Sequence, residues 1–477
     1  MHESGAQSAV IIFAGFILLA LVLVMRPGYL TDPEVLGALL VGQIVIASIC
    51  RYRHSFFMVL MAAFFWAGMQ LPLNEAWLEG RWVVLALGSL AGLAIYMKNR
   101  SHRFSTIHLF ALFCVLSAVV SSSASGYPQE ALLKSVSLFF LFLYGATGAR
   151  LAYSANDGQS LFRRLLIAAE VAIYVSAISY FVVRFPLFGN PNSLGAVMGI
   201  IIVPVMFWGY LEAESIIRKR RLGFELCLAI ALLLSSFSRA AIAAATISCF
   251  LLCLATRRYR SMIGGLAALL AISILVVTFV PPPMEDMDDT GSNSMASLFL
   301  YKGKQKEGLL GSRRGPWEAT MVVIKNRPWF GSGFGTSATD LSASYFELTR
   351  SRFVESRMGR EHGNSYLAIM EWSGLLGVLP FYSLVIITAW QAKKALVQLW
   401  RSGNLHSCAV PAALIIIAGL IGAIFEDWLF AVGYYVSVFF WSMAFILADL
   451  VQPALVADSH GHAAIITDGQ FATSTAR

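Results

Sequence analysis

The feature that most constrains this sequence is a series of long apolar runs that recur along its length. Each run covers roughly 16 to 25 residues, the length at which a helix crosses the hydrocarbon core of a bilayer. Short charged loops separate the runs, and 58% of the residues are hydrophobic while only 13% are charged. Because backbone polar groups must be satisfied inside a membrane, the runs predict an all-α polytopic membrane protein.

Basic residues alternate between successive loops and predict the topology. About fourteen transmembrane helices are expected from the apolar runs. One set of loops carries basic clusters such as 218–221 and 257–260, whereas the opposite short loops carry single arginines. The positive-inside rule places the clusters and both termini in the cytoplasm. The one long polar segment then lies on the periplasmic face of a bacterial inner membrane.

This topology divides the chain into five parts. They are N-terminal transmembrane helices (1–185), transmembrane helices with a Pro-Asn and a Ser-Arg motif (186–281), a large periplasmic loop (282–363), C-terminal transmembrane helices (364–451) and a polar, disordered cytoplasmic tail (452–477). Amphipathic spacing in the loop predicts two short surface helices, at Trp317–Lys325 and Leu341–Met358. The run Gly331–Gly335 is predicted to be a tight turn, since it lacks a P-loop lysine and a preceding strand.

The charge of the periplasmic loop indicates the kind of partner that it binds. Between Lys302 and Arg360 there are eleven Lys or Arg residues against five Asp or Glu residues. That balance favours an anionic partner at the membrane face. The net charge of +8 is explained by topology and requires no nucleic acid. The acidic cluster Glu285–Asp289 is interpreted as a solvated patch, so no metal site is predicted.

His362 is the only histidine that the predicted topology places on the outer face. It lies where the polar loop meets the next apolar run. A histidine titrates near neutrality and therefore suits general-base work on a hydroxyl. The alternative is that His362 only anchors the start of the helix. The adjacent Glu361 could orient His362 or act in its place, and Glu355 and Glu371 are weaker candidates for the same task.

Three arginines are candidates for binding a diphosphate. Arg239 lies at the outer junction of two apolar runs, where it either snorkels to headgroups or faces a polar pocket. The serines before it favour the pocket. Arg313 and Arg314 precede Trp317 on a Gly-flanked stretch interpreted as a turn, and guanidinium groups make bidentate contacts with phosphate oxygens. The alternative for this pair, above all for Arg314, is a solvated basic turn.

Four stretches in order resemble motifs of the bacterial O-antigen ligase and polysaccharide polymerase superfamily. They are GNPNSLGAVMG from Gly189, SFSRAAIA from Ser236, GSRRGPWEATMVVIKNRPWFGSGFG from Gly311 and HGNSYLAIMEWSGLLGVLPF from His362. The resemblance covers roughly residues 186–450. It implies a GT-C-like membrane enzyme that moves a glycan from undecaprenyl or another polyprenyl diphosphate to a sugar hydroxyl, without a metal or other cofactor. Attack opposite the leaving group would invert the anomeric centre.

The resemblance also assigns roles to individual residues. Arg239 matches the membrane-end arginine of the superfamily and Arg313 its loop arginine. His362 matches its histidine, although Gly363 here separates the histidine from Asn364 where the superfamily has the two side by side. The base is therefore His362 or Glu361.

The partners and pathway that the resemblance implies are those of surface polysaccharide assembly. The expected partners are a lipid-linked glycan donor, a glycan acceptor, the lipid bilayer and other polysaccharide-assembly proteins. The pathway is exopolysaccharide, O-antigen or lipopolysaccharide biosynthesis, with polymerisation and ligation both open. The competing class is a transporter or flippase of lipid-linked glycans. The scarcity of charges inside the apolar runs and the absence of an internal repeat disfavour it.

Overall fold

The computed structural model describes residues 56–71, 74–98, 104–154, 159–279, 311–337 and 362–451. Within these ranges the regular structure is helical and contains no strand. The helices are α1 (Phe56–Gly68), α2 (Asn74–Lys98), α3 (Thr106–Ser123), α4 (Pro128–Tyr144), α5 (Arg150–Ser154), α6 (Gln159–Ala177), α7 (Pro191–Ala196), α8 (Val203–Glu212), α9 (Ile216–Ser235), α10 (Arg239–Ala255), α11 (Tyr259–Phe279), α12 (Gly311–Asn326), α13 (Ser365–Ser402), α14 (Ala409–Gly422) and α15 (Tyr435–Val451). Turns of π-helix join α4 to α5 and α7 to α8, and another extends α6.

Six of the described helical stretches are long and apolar enough to cross a membrane. They are Trp77–Met97, Thr106–Ser123, Pro128–Tyr153, Ser160–Val183, Pro191–Glu212 and Ser365–Ser402. Shorter apolar helices, among them α10, α14 and α15, pack with them. The prediction of a helical membrane protein is confirmed. The number of about fourteen spans, the GT-C-like arrangement and the five-part division stay predictions, and the first two predicted spans lie outside the described residues.

The α7–α8 stretch and the last two helices form the centre of the bundle. Pro191–Glu212 is 94% buried, whereas Ser160–Val183 is 33% buried and lies at the periphery. Nearly every residue of α14 and α15 is buried as well. Because lipid tails are as apolar as a protein core, membrane helices are held together by close packing more than by the hydrophobic effect.

Two glycines let the α7–α8 stretch approach the start of α10. A Cβ at Gly195 would lie 2.4 Å from the Cβ of Ser238, and one at Gly199 would lie 2.4 Å from the carbonyl oxygen of Ala241. Small residues four apart are a common device for bringing membrane helices together. This packing fixes the position of the Ser-Arg motif at one end of the bundle.

The Gly-rich turn after α12 docks into a break in α13. Gly374 has φ 55° and ψ −160°, so the helical hydrogen bonds around it are interrupted. The Ser332 and Gly333 N–H groups donate to the carbonyls of Glu371 and Trp372, at 2.8 and 3.0 Å. In the other direction, N–H groups just beyond the break donate to Pro328 and Trp329. Backbone groups freed at membrane depth must find such partners, so the turn and the break stabilise each other.

Two predicted boundaries were wrong. The surface helix expected at Trp317–Lys325 is α12, which already begins at Gly311, so Arg313 and Arg314 lie on a helix and not on a turn. The apolar run that begins at residue 364 predicts a span that ends at residue 391, but the helix continues as α13 to Ser402. The predicted surface helix 341–358, the acidic cluster 285–289 and the C-terminal tail lie outside the described residues.

Candidate functional site

The candidate site lies where α13 begins. The Asn364 side chain caps this helix by accepting hydrogen bonds from the N–H groups of Tyr366 and Leu367, at 2.8 and 3.0 Å. Gly363 has φ +62°, a left-handed conformation that reverses the chain just before the cap. The reversal turns His362 back into the protein, where its side chain is completely buried.

Two carboxylates flank the ring of His362. Its Nδ1 lies 3.3 Å from Oδ2 of Asp427, which also accepts a 2.7 Å hydrogen bond from the His362 backbone N–H. Its Nε2 lies 3.2 Å from Oε2 of Glu371. This contact brings the two charges together but does not have the geometry of a hydrogen bond. The ring edge also packs against Trp372, with centroids 5.3 Å apart.

Ser365 brings the loop between α14 and α15 to this histidine. Its backbone N–H donates to Ala423, and its hydroxyl donates to the Glu426 carbonyl at 2.6 Å. The same hydroxyl oxygen accepts the N–H of Leu429 at 3.1 Å. These three bonds hold a short loop segment against the first turn of α13, which places the side chains of Glu426 and Asp427 at the site.

Arg313 connects α12 to the same place. Its Nη2 donates to Oε1 of Glu426 at 2.5 Å, and the two side chains are 13% and 21% exposed. The arginine packs directly on Gly363, since a Cβ there would lie 2.8 Å from both Cδ and Nη1 of Arg313. From the next turn of α12, the Trp317 indole N–H donates to the Gly363 carbonyl at 3.3 Å.

Arg239 approaches from the start of α10. Arg239 lies close enough to Arg313 for the two positive charges to repel each other. The two predicted arginines therefore share one electrostatic environment. The chain reaches Arg239 through Phe237, which adopts the strained φ of +51°, and through Ser238, the N-cap of the helix. The buried turn that contains Ser236 and Ser238 therefore fixes the position of Arg239, the first residue of α10.

The Pro-Asn motif supports the site from the side. Asn190 caps α7 by accepting the N–H of Asn192 at 2.8 Å. One residue further, Ser193 hydrogen-bonds the hydroxyl of Tyr434 in the loop that carries Glu426. Burial, with a smaller contribution from the charge of Glu426, raises the pKa of Tyr434 to about 12, so this phenol stays protonated.

The electrostatics of the histidine cluster favour an ion pair. Burial alone lowers the pKa of His362, but the hydrogen bond with Asp427 and the negative charges of Asp427 and Glu371 outweigh it and raise the pKa above its ordinary value. Burial raises the pKa of Asp427, yet the nearby imidazolium and backbone donors outweigh this effect and lower it. Both directions describe a protonated imidazole next to an ionised carboxylate.

The structure brings together some of the predicted residues and not others. His362 and Arg313 lie at the start of α13, and Arg239 lies close enough to Arg313 for their charges to repel each other. Arg314 is 79% exposed and pairs with Glu318 one turn along α12, as its alternative interpretation expected. Glu361 lies outside the described residues, as does Glu355. The run Gly331–Gly335 forms the turn that the sequence predicted.

Two carboxylates at the site were missed by sequence reasoning. Glu426 and Asp427 lie in a loop more than sixty residues beyond His362, and neither falls in a motif. A usable signal was present, since they are adjacent acids at the outer end of the last two predicted spans. Within the described ranges, no group of three or more His, Cys, Asp and Glu side chains is arranged to hold a metal ion.

Together these features define a helical membrane protein with a buried histidine, three carboxylates and two arginines at one end of its bundle. Residues 224–382 match the family model of O-antigen ligase, Wzy_C. The matched stretch covers a third of the chain and contains Arg239, Arg313 and His362, together with three of the four motifs, so the resemblance of this region to the O-antigen ligase family is confirmed. No curated protein matches the chain.

Proposed function

We propose that the protein is a glycosyltransferase that moves a glycan from a polyprenyl diphosphate to a sugar hydroxyl at the periplasmic face of the bacterial inner membrane. The observation that carries the proposal is the contact of Arg313 with Gly363, the residue next to His362. It joins a diphosphate-binding cation to a proton-accepting group. The O-antigen ligase match supports a ligase or polymerase of this kind.

The arginines stabilise the leaving group in this proposal. As the bond between the anomeric carbon and the diphosphate oxygen breaks, its electron pair and the negative charge stay on the diphosphate. Cations that are already in place stabilise that charge in the transition state. The positive charges of Arg313 and Arg239 repel each other, and Arg313 is paired with Glu426. A diphosphate bound beside both arginines relieves that repulsion. The donor diphosphate takes over Arg313 from Glu426 when it binds.

The histidine cluster takes the proton of the acceptor hydroxyl. His362 is buried with both ring nitrogens against carboxylates, whereas the side chain of Asp427 is 24% exposed. We therefore assign proton acceptance to the His362–Asp427 pair once the imidazolium of His362 has lost its proton, with Asp427 as the part that the acceptor reaches. The hydroxyl oxygen forms the new bond to the anomeric carbon as its proton moves to the pair. Glu361 remains the alternative base.

This proposal requires neither a metal nor another cofactor, and attack opposite the diphosphate inverts the anomeric centre. The lipid tail of the donor enters from the bilayer, so a lateral opening near the start of α13 is expected. Lipid-linked repeats as acceptors give polymerisation, and a second carrier as acceptor gives ligation. We favour polymerisation of an exopolysaccharide or O-antigen.

The test uses purified protein and a polyprenyl-diphosphate oligosaccharide. Arg239→Ala, Arg313→Ala and His362→Ala should each abolish transfer while the protein still inserts and stays folded. Arg314→Ala is the matched comparison on α12, and its exposed pairing with Glu318 predicts a much smaller loss. If the first three variants all keep wild-type product, the assigned site is wrong.

The products of the same assay separate the remaining possibilities. A ladder of longer glycans on the same lipid indicates a polymerase. Transfer of the glycan to a second carrier indicates a ligase. Movement of intact donor between leaflets without a new glycosidic bond would contradict the proposal and favour a transporter.

A further inference from the structure

The far end of α13 carries a surface groove that the proposed reaction does not use. The groove has a volume of about 530 Å³ and lies within the last four turns of the helix. Trp390 forms one wall, and Lys393, Lys394, Val397 and Arg401 form much of the rest. It is at the opposite end of α13 from His362, so its role is independent of the transfer site.

The helix projects beyond the bilayer at this end. From the break at Gly374 to Ser402 it runs for 28 residues, which is about 42 Å at the usual helical rise, against a hydrocarbon core of roughly 30 Å. The last turns therefore reach the headgroup region and the water beyond it. Trp390 lies where such a helix leaves the hydrocarbon, the depth at which tryptophan is enriched.

The groove is strongly basic. Nζ of Lys393 lies 4.8 Å from the centroid of the Trp390 ring, and Nζ of Lys394 lies 6.0 Å from it. Arg401 adds a third cation two turns further on. The helix sequence contains no Asp or Glu after Glu371. Three cations around one aromatic wall are complementary to a phosphate that carries negative charge.

An apolar stripe leads from the groove into the membrane. Leu379 and Ile386 are 74% and 65% exposed and lie seven residues apart, and Trp390 follows four residues later at 53% exposure. This spacing keeps all three on one face of the helix. The stripe offers a surface for a hydrocarbon chain that ends at the cations. A free phosphate ion would use the groove and leave the stripe without a role.

We propose that the groove binds the headgroup of an anionic phospholipid, with one acyl chain lying along the stripe. The leaflet is the one at the basic end of α13, which the positive-inside rule makes cytoplasmic. Basic pockets beside membrane helices on that side commonly hold anionic headgroups. The lipid would fix the height of α13 in the bilayer from the end opposite the candidate active site.

The test is native mass spectrometry of the full chain in neutral detergent, with phosphatidylglycerol or phosphatidylcholine of equal chain length. The wild type should retain phosphatidylglycerol at least ten-fold more tightly than phosphatidylcholine. Lys393→Gln with Lys394→Gln should remove that preference. The double arginine variant at the same positions keeps both charges and should preserve it, which separates lost charge from lost folding.

A matched control removes the same charge elsewhere. Arg163→Gln with Arg164→Gln neutralises an exposed adjacent pair on α6 and should leave the preference intact. Equal binding of both lipids by the wild type would overturn the proposal, as would an equal loss in the control pair. Competition by millimolar inorganic phosphate as strong as that by phosphatidylglycerol would also overturn it, because it would indicate an anion site without a lipid.

Discussion

Substitution of Gly363 by alanine tests whether the contact between α12 and the start of α13 positions Arg313, the arginine proposed to stabilise the leaving diphosphate. The change has two separate effects. Alanine at φ +62° is strained by about 1–2 kcal/mol, as any L-residue is in the left-handed region. In addition, the new Cβ would lie 2.8 Å from Cδ and Nη1 of Arg313, where carbon contacts prefer about 3.5–4.0 Å. Arg313 must therefore move by about 1 Å.

Gly403→Ala at the other end of α13 is the matched control. Gly403 has φ +67°, and nothing lies within 4 Å of a Cβ built there. It therefore carries the same backbone strain without displacing a side chain. Both variants should lose similar thermal stability. A displacement of 1 Å at a catalytic group lowers rates by about a hundred-fold, so only Gly363→Ala should lose transfer activity to that extent.

The measurement is the initial rate of glycan transfer by wild type and both variants, normalised to folded protein after size-exclusion chromatography. Thermal unfolding in the same detergent checks that their stabilities match. Equal activity of the two variants would refute the idea that Gly363 seats Arg313. A hundred-fold loss in Gly403→Ala would show that strain in α13 alone explains the effect.

Three further substitutions probe the carboxylates and the docked turn. Glu426→Gln should lower the donor KM in steady-state kinetics, because the diphosphate no longer competes with a carboxylate for Arg313; a higher KM would mean that Glu426 positions the arginine. Asp427→Asn should lower kcat/KM, because Asp427 is the part of the pair that the acceptor reaches. The remaining activity should rise at lower pH than in the wild type, because the Asp427 carboxylate raises the pKa of His362 while burial lowers it; an unchanged pH profile would contradict the pairing. Gly331→Ala should reduce the yield of folded protein more than Gly403→Ala does, because its Cβ would lie 2.3 Å from a backbone carbonyl of α13; equal yields would refute the docking.

The pH dependence of stability offers a check that needs no substrate. A raised pKa for His362 in the folded state means that the cluster contributes its full stability below the ordinary histidine value of about 6.5. That contribution is lost as pH rises through the raised pKa. His362→Gln should therefore lose most thermal stability at low pH, and the difference from wild type should shrink at high pH. A difference that grows with pH would contradict the ion-pair description.

Most of the fold was predictable because the bilayer sets a single length scale. Each predicted span between residues 55 and 450 corresponds to a helix in the described structure. The errors lie where a helix extends beyond the apolar or amphipathic pattern that predicted it. At Lys393 and Lys394 the apolar run ends, while the helix continues to Ser402. At Gly311 the helix begins in polar sequence, before the amphipathic pattern that revealed it.

The site was predictable only in part, for a related reason. Arg239, Arg313 and His362 are charged or titratable residues at the edges of apolar runs, where such residues need a local explanation. Glu426 and Asp427 also lie at the edge of apolar runs, but neither falls in a motif and nothing along the chain pairs them with His362 or Arg313. Their place depends on hydrogen bonds of Ser365 that join segments more than sixty residues apart. The hydrophobic and charge pattern along a sequence does not show which distant segments contact each other.

The glycine between His362 and Asn364 shows why spacing in a motif has to be interpreted in three dimensions. The superfamily pattern places histidine directly before asparagine, so the extra residue appeared to leave the base uncertain. In the structure Gly363 adopts a conformation that an L-residue rarely takes, and the reversal lets Asn364 cap α13 while His362 turns inward. The insertion is therefore absorbed by one backbone reversal, and His362 still lies between Asp427 and Glu371. Because the same glycine leaves room for Arg313, it also joins His362, the proposed base with Glu361 as its alternative, to the proposed diphosphate-binding arginine.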